Sequence, residues 1–398
     1  MTIKKSGIAM IIILSLVMGA VLGHLGSLVT HGGENYVRLR PADYHTLVRN
    51  AERHSRLDML ISLIDNFYYK DVDMEDLRLG IYRGLFYGLN DVNSMYLTAE
   101  EYDALQLNLA GEFQGIGITF QRNYDNQLVI VSTIDGGPAE SVGLLVGDII
   151  WAVDGIRYTG YEVNEAGAHM RGPAGTSVTV TVLRDGEMID FEIVRANVIR
   201  QTVTTEMLDG NIAHIRITGF EGNTGELFEN ELRGLEMMGA RGMIIDLRNN
   251  IGGIIGQGTH IANLLIPEGT IVYLVDNSGR RVPTNSDRNS TQIPYVILVN
   301  ESTASTSEIL AAAVQDNNGG PLVGTQTFGK GTIQSLIPLT DGSGSAVRLT
   351  TNQYLSPNGN PIEQVGVTPD FIVEMSSDAY FDYQLEKALE LLNERLSL

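Results

Sequence analysis

The amino-acid sequence predicts a multidomain α/β protein in which a small β-rich domain precedes a layered α/β core. Three successive patterns along its 398 residues indicate this. Apolar residues first recur at helical spacing, then short strands alternate with glycines from Gly111 to Val198, and strands alternate with helices from Ile199 onward. A chain of this length can form two or three domains with hydrophobic cores, and alternation of strands and helices is typical of layered α/β folds.

The composition excludes several classes of function. The chain has 48 acidic and 27 basic residues, which gives a formal net charge of -21. Because nucleic-acid binding depends on Lys and Arg side chains that neutralise phosphates, this charge argues against a nucleic-acid partner. The sequence contains no cysteine, which excludes disulfides, a cysteine nucleophile and thiolate metal sites.

An apolar segment near the N-terminus is predicted to be an uncleaved membrane anchor. It runs from Gly7 to Val29, after two lysines. About 20 apolar residues in a helix span a hydrocarbon core of roughly 30 Å, and the leading lysines favour a cytoplasmic N-terminus. A cleaved signal peptide is the alternative, but the segment is long for one and no Ala-x-Ala site ends it. We therefore expect residues 1–33 to form a cytoplasmic N-terminus and a single transmembrane helix in the cell membrane, with the rest extracytoplasmic.

Residues 34–110 are predicted to be a helical region. The stretch LDMLISLIDNFYYKDVDMEDLRLGIYRGLFYGL places apolar residues three and four positions apart, with charges between them. Within it, Asp71, Asp73 and Glu75 alternate as in a calcium loop, but the glycine and the final glutamate of such a loop are missing. Helix capping by one of the two aspartates is the better interpretation.

Residues 111–198 are predicted to form one compact β domain. The sequence GTSVTVTVLRDGEMIDFEIVRA indicates a hairpin closed on Asp185-Gly186. A Gly-x-Gly-x segment, followed by GPAESVGLLVGDIIWAVDG, resembles the carboxylate-binding loop of PDZ domains and the region after it. The resemblance implies that a peptide pairs with the next strand and that its terminal carboxylate binds the loop. The loop residues are Gly115, Ile116, Gly117 and Ile118.

The candidate chemistry lies in residues 199–375, which an amphipathic helix in residues 376–398 follows. The seven histidines are scattered and form no metal-binding pair, so neither a metal nor a cofactor is predicted. No Gly-x-Ser-x-Gly turn, Walker motif or dinucleotide-binding glycine pattern occurs. A serine that is activated by a base other than histidine remains.

One serine-rich segment and one lysine suit this chemistry. The segment NESTASTSEILAAAVQDN places four hydroxyl residues before an apolar helix, and Lys330 follows in GTQTFGKGTIQ. Lysine can accept a serine proton if burial lowers its pKa from about 10.4 toward 7 to 8. No acidic residue lies nearer to Lys330 in sequence than Asp316 and Asp341. A hairpin lysine that reaches solvent is the alternative.

Together with IIDLRNNIGG upstream, these segments resemble the carboxyl-terminal processing (tail-specific) serine peptidases. The resemblance covers nearly everything after the anchor and implies a PDZ domain inserted before a crotonase-like layered α/β peptidase core. It also implies that Ser305 is the nucleophile, Lys330 is the base and Gln334 orients the lysine.

The same resemblance implies that two backbone amides stabilise the oxyanion. One is the amide of Thr306, and the other belongs to a glycine of NNIGG, for which Gly252 is preferred over the next glycine. A serine at a helix N-terminus also gains from free amides and from the helix dipole. Ser302 and Ser307 compete with Ser305 as nucleophile. Ser302 and Thr303 are expected to be N-cap residues, and Ser307 is expected to face a different side of the helix.

The resemblance therefore implies a membrane-anchored, extracytoplasmic serine endopeptidase that cleaves proteins in their C-terminal regions. Its partners would be protein or peptide substrates held by their free C-termini, the membrane, and a second copy in a homodimer. The PDZ domain would block or complete the active site, with Arg171 coupling peptide occupancy to the core; a surface charge beside a turn is the alternative for this arginine.

Two other hypotheses are alternatives to a carboxyl-terminal processing peptidase. One is a PDZ adaptor whose peptidase-like domain only binds, which the retained serine, lysine and glutamine argue against. The other is a retinoid-type or tricorn-type member of the same superfamily, which the single PDZ domain before the core argues against.

Overall fold

The structure, a computed structural model, describes residues 2–3, 37–38, 40–123, 125–134, 136–287, 290–374 and 381–397. The chain divides into two compact units, Met1–Asn90 and Asp91–Leu398. The predicted membrane anchor, Gly7 to Val29, lies outside the described residues. Among the residues that are described, no helix combines the length and the apolar character needed to cross a bilayer.

The described residues of the first unit form two helices and a short strand pair. Strands β1 (Thr2–Ile3) and β2 (Val37–Arg38) pair antiparallel, and helices α1 (Pro41–Phe67) and α2 (Met74–Tyr87) follow. Asp73 caps α2, because its carboxylate accepts a hydrogen bond of 2.8 Å from the amide of Glu75. The capping interpretation of this acidic stretch is therefore confirmed.

The second unit opens with strand β3 (Met95–Leu97) and helix α3 (Ala99–Leu109). Thr98 and Glu101 form a capping box at the start of α3. The Thr98 hydroxyl accepts from the Glu101 amide at 3.2 Å, and the Glu101 carboxylate accepts from the Thr98 amide at 2.9 Å. This reciprocal pair satisfies two amides that a helix start leaves without partners.

A β domain follows in the chain. Its main sheet has the strand order β10-β9-β7-β6-β5, with β8 on β7, and β4 pairs with β11 separately. The hairpin of β9 and β10 closes on Asp185 and Gly186, which both have positive φ, as predicted. The elements are β4 (Glu112–Gly115), β5 (Ile118–Arg122), β6 (Leu128–Thr133), α4 (Pro138–Ser141), β7 (Ile149–Val153), β8 (Ile156–Arg157), α5 (Val163–Met170), β9 (Ser177–Arg184), β10 (Glu187–Val194) and β11 (Ala196–Ile199).

The α/β core contains two sheets in the part that the structure describes. The first has the order β12-β13-β14-β17-β18-β21, and the second has the order β16-β15-β20-β19, with β3 on β20. The elements are β12 (Val203–Leu208), β13 (Ile212–Ile217), α6 (Thr224–Met238), β14 (Gly242–Asp246), α7 (Ile255–Leu265), β15 (Gly269–Asp276), β16 (Arg281–Ser286), β17 (Tyr295–Val299), α8 (Thr306–Asp316), β18 (Leu322–Gly324), β19 (Thr332–Pro338), β20 (Ala346–Leu355), β21 (Phe371–Ile372) and α9 (Tyr383–Leu396).

The first sheet of the core lies between two layers of helices. On β14, Met243 and Ile245 join the hydrophobic cluster that contains residues of α6, α7 and α8, whereas Ile244 joins the cluster that contains residues of α9. This alternation follows from the two-residue period of side chains along a strand. Because β14 and β17 are parallel neighbours, the loops after them, residues 247–254 and 300–305, leave the sheet at the same edge.

Candidate active site

Ser305 lies at the end of the loop that follows β17, immediately before α8. Its φ is 58° and its ψ is -118°, and it is only 9% exposed. A non-glycine residue with positive φ persists only where its surroundings determine the conformation, and such residues cluster at active sites. The surroundings here include Thr303, whose hydroxyl accepts from the Asn300 amide and donates to the Leu247 carbonyl, both at 2.9 Å.

The prediction that Ser302 and Thr303 are N-cap residues is wrong. Helix α8 begins at Thr306, so the N-cap position belongs to Ser305. The hydroxyl of Thr303 instead links the loop after β17 to the loop after β14. This use of a loop hydroxyl depends on a segment more than 50 residues away, so the local sequence pattern did not reveal it.

The loop after β14 packs directly against the serine. A Cβ at Gly252 would lie 2.8 Å from the Cβ of Ser305 and 2.9 Å from the amide nitrogen of Thr306, so only glycine fits there. The Asn250 carbonyl accepts from the Ala304 amide at 3.0 Å. The IIDLRNNIGG segment and the serine loop therefore form one hydrogen-bonded unit.

The predicted oxyanion donors differ in their hydrogen bonds. The amide of Thr306, at the first position of α8, has no acceptor among the described residues, so it is available to a developing negative charge. The amide of Gly252 instead donates to the Asn250 side chain at 2.9 Å, so it is already occupied. The amide of Gly253 has no acceptor in the described part of the chain. The choice of Gly252 stays a prediction.

Lys330 lies in the loop between β18 and β19 and is half-buried. Within the described residues its amine makes no hydrogen bond and no ion pair. Burial lowers the pKa of Lys330, and the nearby Arg348 guanidinium lowers it further. Glu363, Asp91 and Glu308 act in the opposite direction, but the net shift is downward, as a general base requires. The sequence showed no acid near Lys330; the fold brings these three carboxylates toward it from other segments.

Glu308 joins the serine loop to the lysine loop. Its buried carboxylate accepts the amides of Ser305 at 2.8 Å and Lys330 at 2.9 Å through Oε2. Through Oε1 it accepts the Gly329 amide at 2.7 Å and the Thr327 hydroxyl at 2.6 Å. Burial raises the pKa of the Glu308 carboxyl, and these four hydrogen bonds only partly offset that shift.

Tyr354 on β20 makes a second link between the same loops. Its buried hydroxyl lies within hydrogen-bonding distance of the carbonyl oxygens of Ser305, at 3.1 Å, and of Lys330. Burial raises the pKa of Tyr354 well above its usual value, so the phenol stays protonated and can donate. Ser305 and Lys330, 25 positions apart in sequence, are therefore held beside each other by two buried side chains.

Sequence reasoning assigned no role to either of these two residues. A charged residue in the otherwise apolar run EILAAAV could have pointed to Glu308, since a charge on a buried helix must have partners. Nothing in the strand pattern around Tyr354 distinguished it from a core aromatic residue.

Gln334 lies on β19, four residues beyond the lysine. Its side-chain amide donates to the hydroxyls of Thr332 and Thr350, both at 3.2 Å. Within the described residues it makes no hydrogen bond to Lys330. Its assignment as the residue that orients the lysine therefore stays a prediction.

A buried ion pair supports the loop that packs on Ser305. Asp246, at the end of β14, accepts two hydrogen bonds from the guanidinium of Arg248, at 2.9 and 2.7 Å, and one from its backbone amide at 3.0 Å. Burial opposes ionisation, but hydrogen bonds from His214 and Arg248 lower the pKa of Asp246 far below its usual value. Arg248 also binds Asp382, the N-cap of α9, at 2.8 Å. This network connects the IIDLRNNIGG segment to the C-terminal helix.

The predicted peptide-binding loop borders an open cleft of about 1090 Å³. The cleft is lined by Ile116, Gly117 and Ile118, by residues of α3 and α5, and by Arg171. A Cβ at Gly115 would lie 3.7 Å from Cγ of Arg171, so this arginine lies beside the loop. Its guanidinium has no hydrogen-bond or ion-pair partner within the described residues, which leaves it free to bind an anion.

Comparison with known proteins identifies both parts of the second unit. A family model described as Peptidase family S41 matches residues 211–373, and one described as PDZ domain matches residues 114–194. The carboxyl-terminal-processing protease of Synechocystis sp. is 39% identical over 318 residues, which is 76% of this chain and 74% of that relative. The carboxy-terminal processing protease CtpA of Bacillus subtilis is 35% identical over 334 residues, 83% of this chain and 71% of that relative.

Solved structures share the same fold. The photosystem II D1 C-terminal processing protease superposes with a TM-score of 0.51 at 27% identity, covering 88% of this chain and 90% of that one. A putative S41 protease from Bacteroides fragilis also gives a TM-score of 0.51, at 16% identity, over 78% of this chain and 86% of that one. The predicted order of a PDZ domain before an α/β peptidase core is confirmed.

Proposed function

The chain belongs to peptidase family S41, as a carboxyl-terminal processing serine protease with a PDZ domain, and from that premise we propose that Ser305 and Lys330 form its catalytic dyad. The neutral amine of Lys330 accepts the hydroxyl proton while Oγ of Ser305 attacks the scissile carbonyl carbon. The amide of Thr306 and a glycine amide of the 249–253 loop stabilise the oxyanion. The Lys330 ammonium then returns the proton to the leaving amine, and water hydrolyses the acyl ester with the same base.

One observation carries this proposal more than any other. The buried Glu308 carboxylate binds the amides of both Ser305 and Lys330, so the two residues lie on loops joined through a single side chain. The lowered pKa of Lys330 favours the neutral amine that a base needs, and the membership in a protease family argues against the adaptor hypothesis.

Trapping the acyl-enzyme tests the nucleophile directly. A peptide ester is turned over by the full chain, the reaction is quenched with acid within milliseconds, and the acylated residue is mapped by mass spectrometry. We expect the acyl group on Ser305, in the native chain and equally in Ser302→Ala, which is the matched control. Acylation of Ser302, or of the Ser305→Ala variant at comparable yield, would contradict the proposal.

We also propose that the PDZ cleft binds the free C-terminus of the substrate. The support is the position of Arg171, which has no ion-pair partner among the described residues and lies beside the Gly115–Ile118 loop, on a cleft that also borders α3 and the core. In this arrangement Arg171 couples peptide binding in the cleft to the catalytic core. Two further roles implied by the resemblance are also proposed: Gln334 orients Lys330, and two copies of the chain form a homodimer. Sedimentation of the purified chain tests the homodimer.

Amidation of the substrate's C-terminus is expected to slow its cleavage. Losing charge-assisted hydrogen bonds costs about 1.5–3 kcal/mol, so kcat/KM should fall about 10- to 100-fold for the amidated peptide. The measurement compares two peptides that differ only in the terminal group, with Arg171→Ala as a variant that should reduce the difference. Equal rates for the two peptides would show that the cleft does not recognise carboxylates.

Residues 7–29 are proposed to anchor the protein in the cell membrane, with the catalytic part extracytoplasmic. The support is the apolar sequence itself and the two lysines that precede it. Carbonate extraction of membranes tests the anchor, and added protease in intact cells tests the side on which the catalytic part lies. Release of the full-length chain by carbonate would contradict the anchor.

A further inference from the structure

We infer that Ile251, Phe328 and Val365 form an apolar rim beside the active site that binds large apolar side chains of the substrate next to the scissile bond. The inference rests on the proposed dyad and goes beyond it, because it names the substrate class. That class is polypeptide with a large apolar residue adjacent to the cleaved bond.

Ile251 is exposed at the point where the loop touches the nucleophile. Its side chain is 75% exposed, and the next residue, Gly252, packs against the Cβ of Ser305. The loop cannot turn this side chain inward easily, since the amide of Asn249 and the side chain of Asn250 are both hydrogen-bonded to neighbouring segments.

Phe328 is exposed on the lysine side of the site. Its ring is 67% exposed, although it lies two residues before Lys330. The Phe328 amide donates to the Thr303 carbonyl at 3.0 Å, and the next amide, of Gly329, donates to Glu308. The backbone at the ring is therefore fixed both to the loop that carries Ser305 and to α8, which follows that loop.

Val365 continues the rim from a third segment. It is 56% exposed, and a Cβ at Gly329 would lie 3.0 Å from its amide nitrogen. Its carbonyl accepts from the Gln326 side chain at 2.6 Å. The three apolar residues thus lie on three loops whose backbones are held by hydrogen bonds, with Ile251 next to Gly252, and Phe328 and Val365 next to Gly329.

Single exposed apolar residues are common on protein surfaces and need no explanation. These three differ in their positions: Ile251 directly precedes Gly252, which packs on Ser305, and Phe328 and Val365 both adjoin Gly329, the residue before Lys330. Covering an aromatic ring with an apolar substrate side chain should raise kcat/KM about 10- to 100-fold. Hydrophobic subsites discriminate between substrates by about this factor.

The experiment uses the full chain and a pair of peptides that are identical except for Leu or Ser at the residue before the cleaved bond, with a second pair varied after the bond. Product masses confirm the cleaved bond. We expect the native chain to prefer a Leu peptide about 10- to 100-fold in at least one pair. Phe328→Ala should lower kcat/KM for that Leu peptide about tenfold and leave its Ser counterpart within twofold.

Met237→Ala is the matched control, because Met237 is 84% exposed on α6 of the same unit, and it should change neither peptide. No preference in the native chain, or an equal fall for both peptides in Phe328→Ala, would overturn the inference. Failure of the dyad is distinguishable, because then Ser305→Ala would still cleave the peptides. If only the rim is wrong, Ser305 stays essential and Phe328→Ala keeps the native preference.

Discussion

Replacing Lys330 by methionine is expected to lower kcat/KM by about 10²- to 10⁴-fold, the usual contribution of a general base, while the fold is retained. Methionine has similar length and is neutral, so the half-buried position loses only the amine. Peptide cleavage measures the rate, and circular dichroism checks the fold. Lys387→Met is the control, because Lys387 on α9 pairs with Glu390 and lies over the ring of Phe371, neither of which belongs to the proposed site, and it should leave kcat/KM unchanged. Activity of Lys330→Met within tenfold of the native chain would contradict the role of the amine.

The lowered pKa of Lys330 gives this prediction a pH dependence with a definite sign. The base is active only when neutral, so activity should rise as pH rises through the lowered pKa, below the usual value of about 10.4. Between these two pKa values the unfolded chain binds one proton more than the folded chain. The free energy of unfolding should therefore increase with pH in that window, and Lys330→Met should lose this increment.

Replacing Glu308 by glutamine is expected to reduce both activity and stability. All four partners of the carboxylate are donors: the amides of Ser305, Gly329 and Lys330 and the Thr327 hydroxyl. Either orientation of a glutamine amide therefore turns a donor toward at least one buried backbone N–H. Each donor left without an acceptor costs about 1–3 kcal/mol. Misplacing the two loops by about 1 Å should lower kcat about 10²-fold.

Urea denaturation measures the stability of Glu308→Gln, and initial rates at saturating peptide measure kcat. Glu231→Gln is the control, since Glu231 is exposed on α6 and its substitution removes the same negative charge. A Glu308→Gln variant with native kcat would show that the carboxylate does not position Ser305 and Lys330. Tyr354, which reaches the carbonyl oxygens of the same two residues, would then be the remaining link.

Local patterns were sufficient for most of the secondary structure. The hairpin at Asp185-Gly186 and the cap at Asp73 depend on residues within a few positions, and the structure has both. The start of α8 was misplaced because Thr303 bonds to Leu247, across 56 positions of sequence. Contacts of this kind exist only after β14 and β17 have paired.

The candidate site also has a part that the sequence predicts and a part that arises only from contacts between distant segments. A motif resemblance was enough to select Ser305 and Lys330, but the groups that hold them together are distributed over separate elements. Glu308 collects donors from its own helix start and from the loop before β19, and Tyr354 approaches from β20. The same holds for the carboxylates of Glu363 and Asp91, whose effect on the lysine pKa arises only in the fold.

The central claim is that the half-buried amine of Lys330 is neutral at working pH, and NMR titration of the lysine side chains tests it most directly. The chain contains five lysines, at positions 4, 5, 70, 330 and 387, so ε-¹³C labelling gives few signals. We predict one amine that titrates below about 10.4 and whose signal is missing in Lys330→Met. If all five amines titrate near the value of free lysine, the dyad cannot work as described.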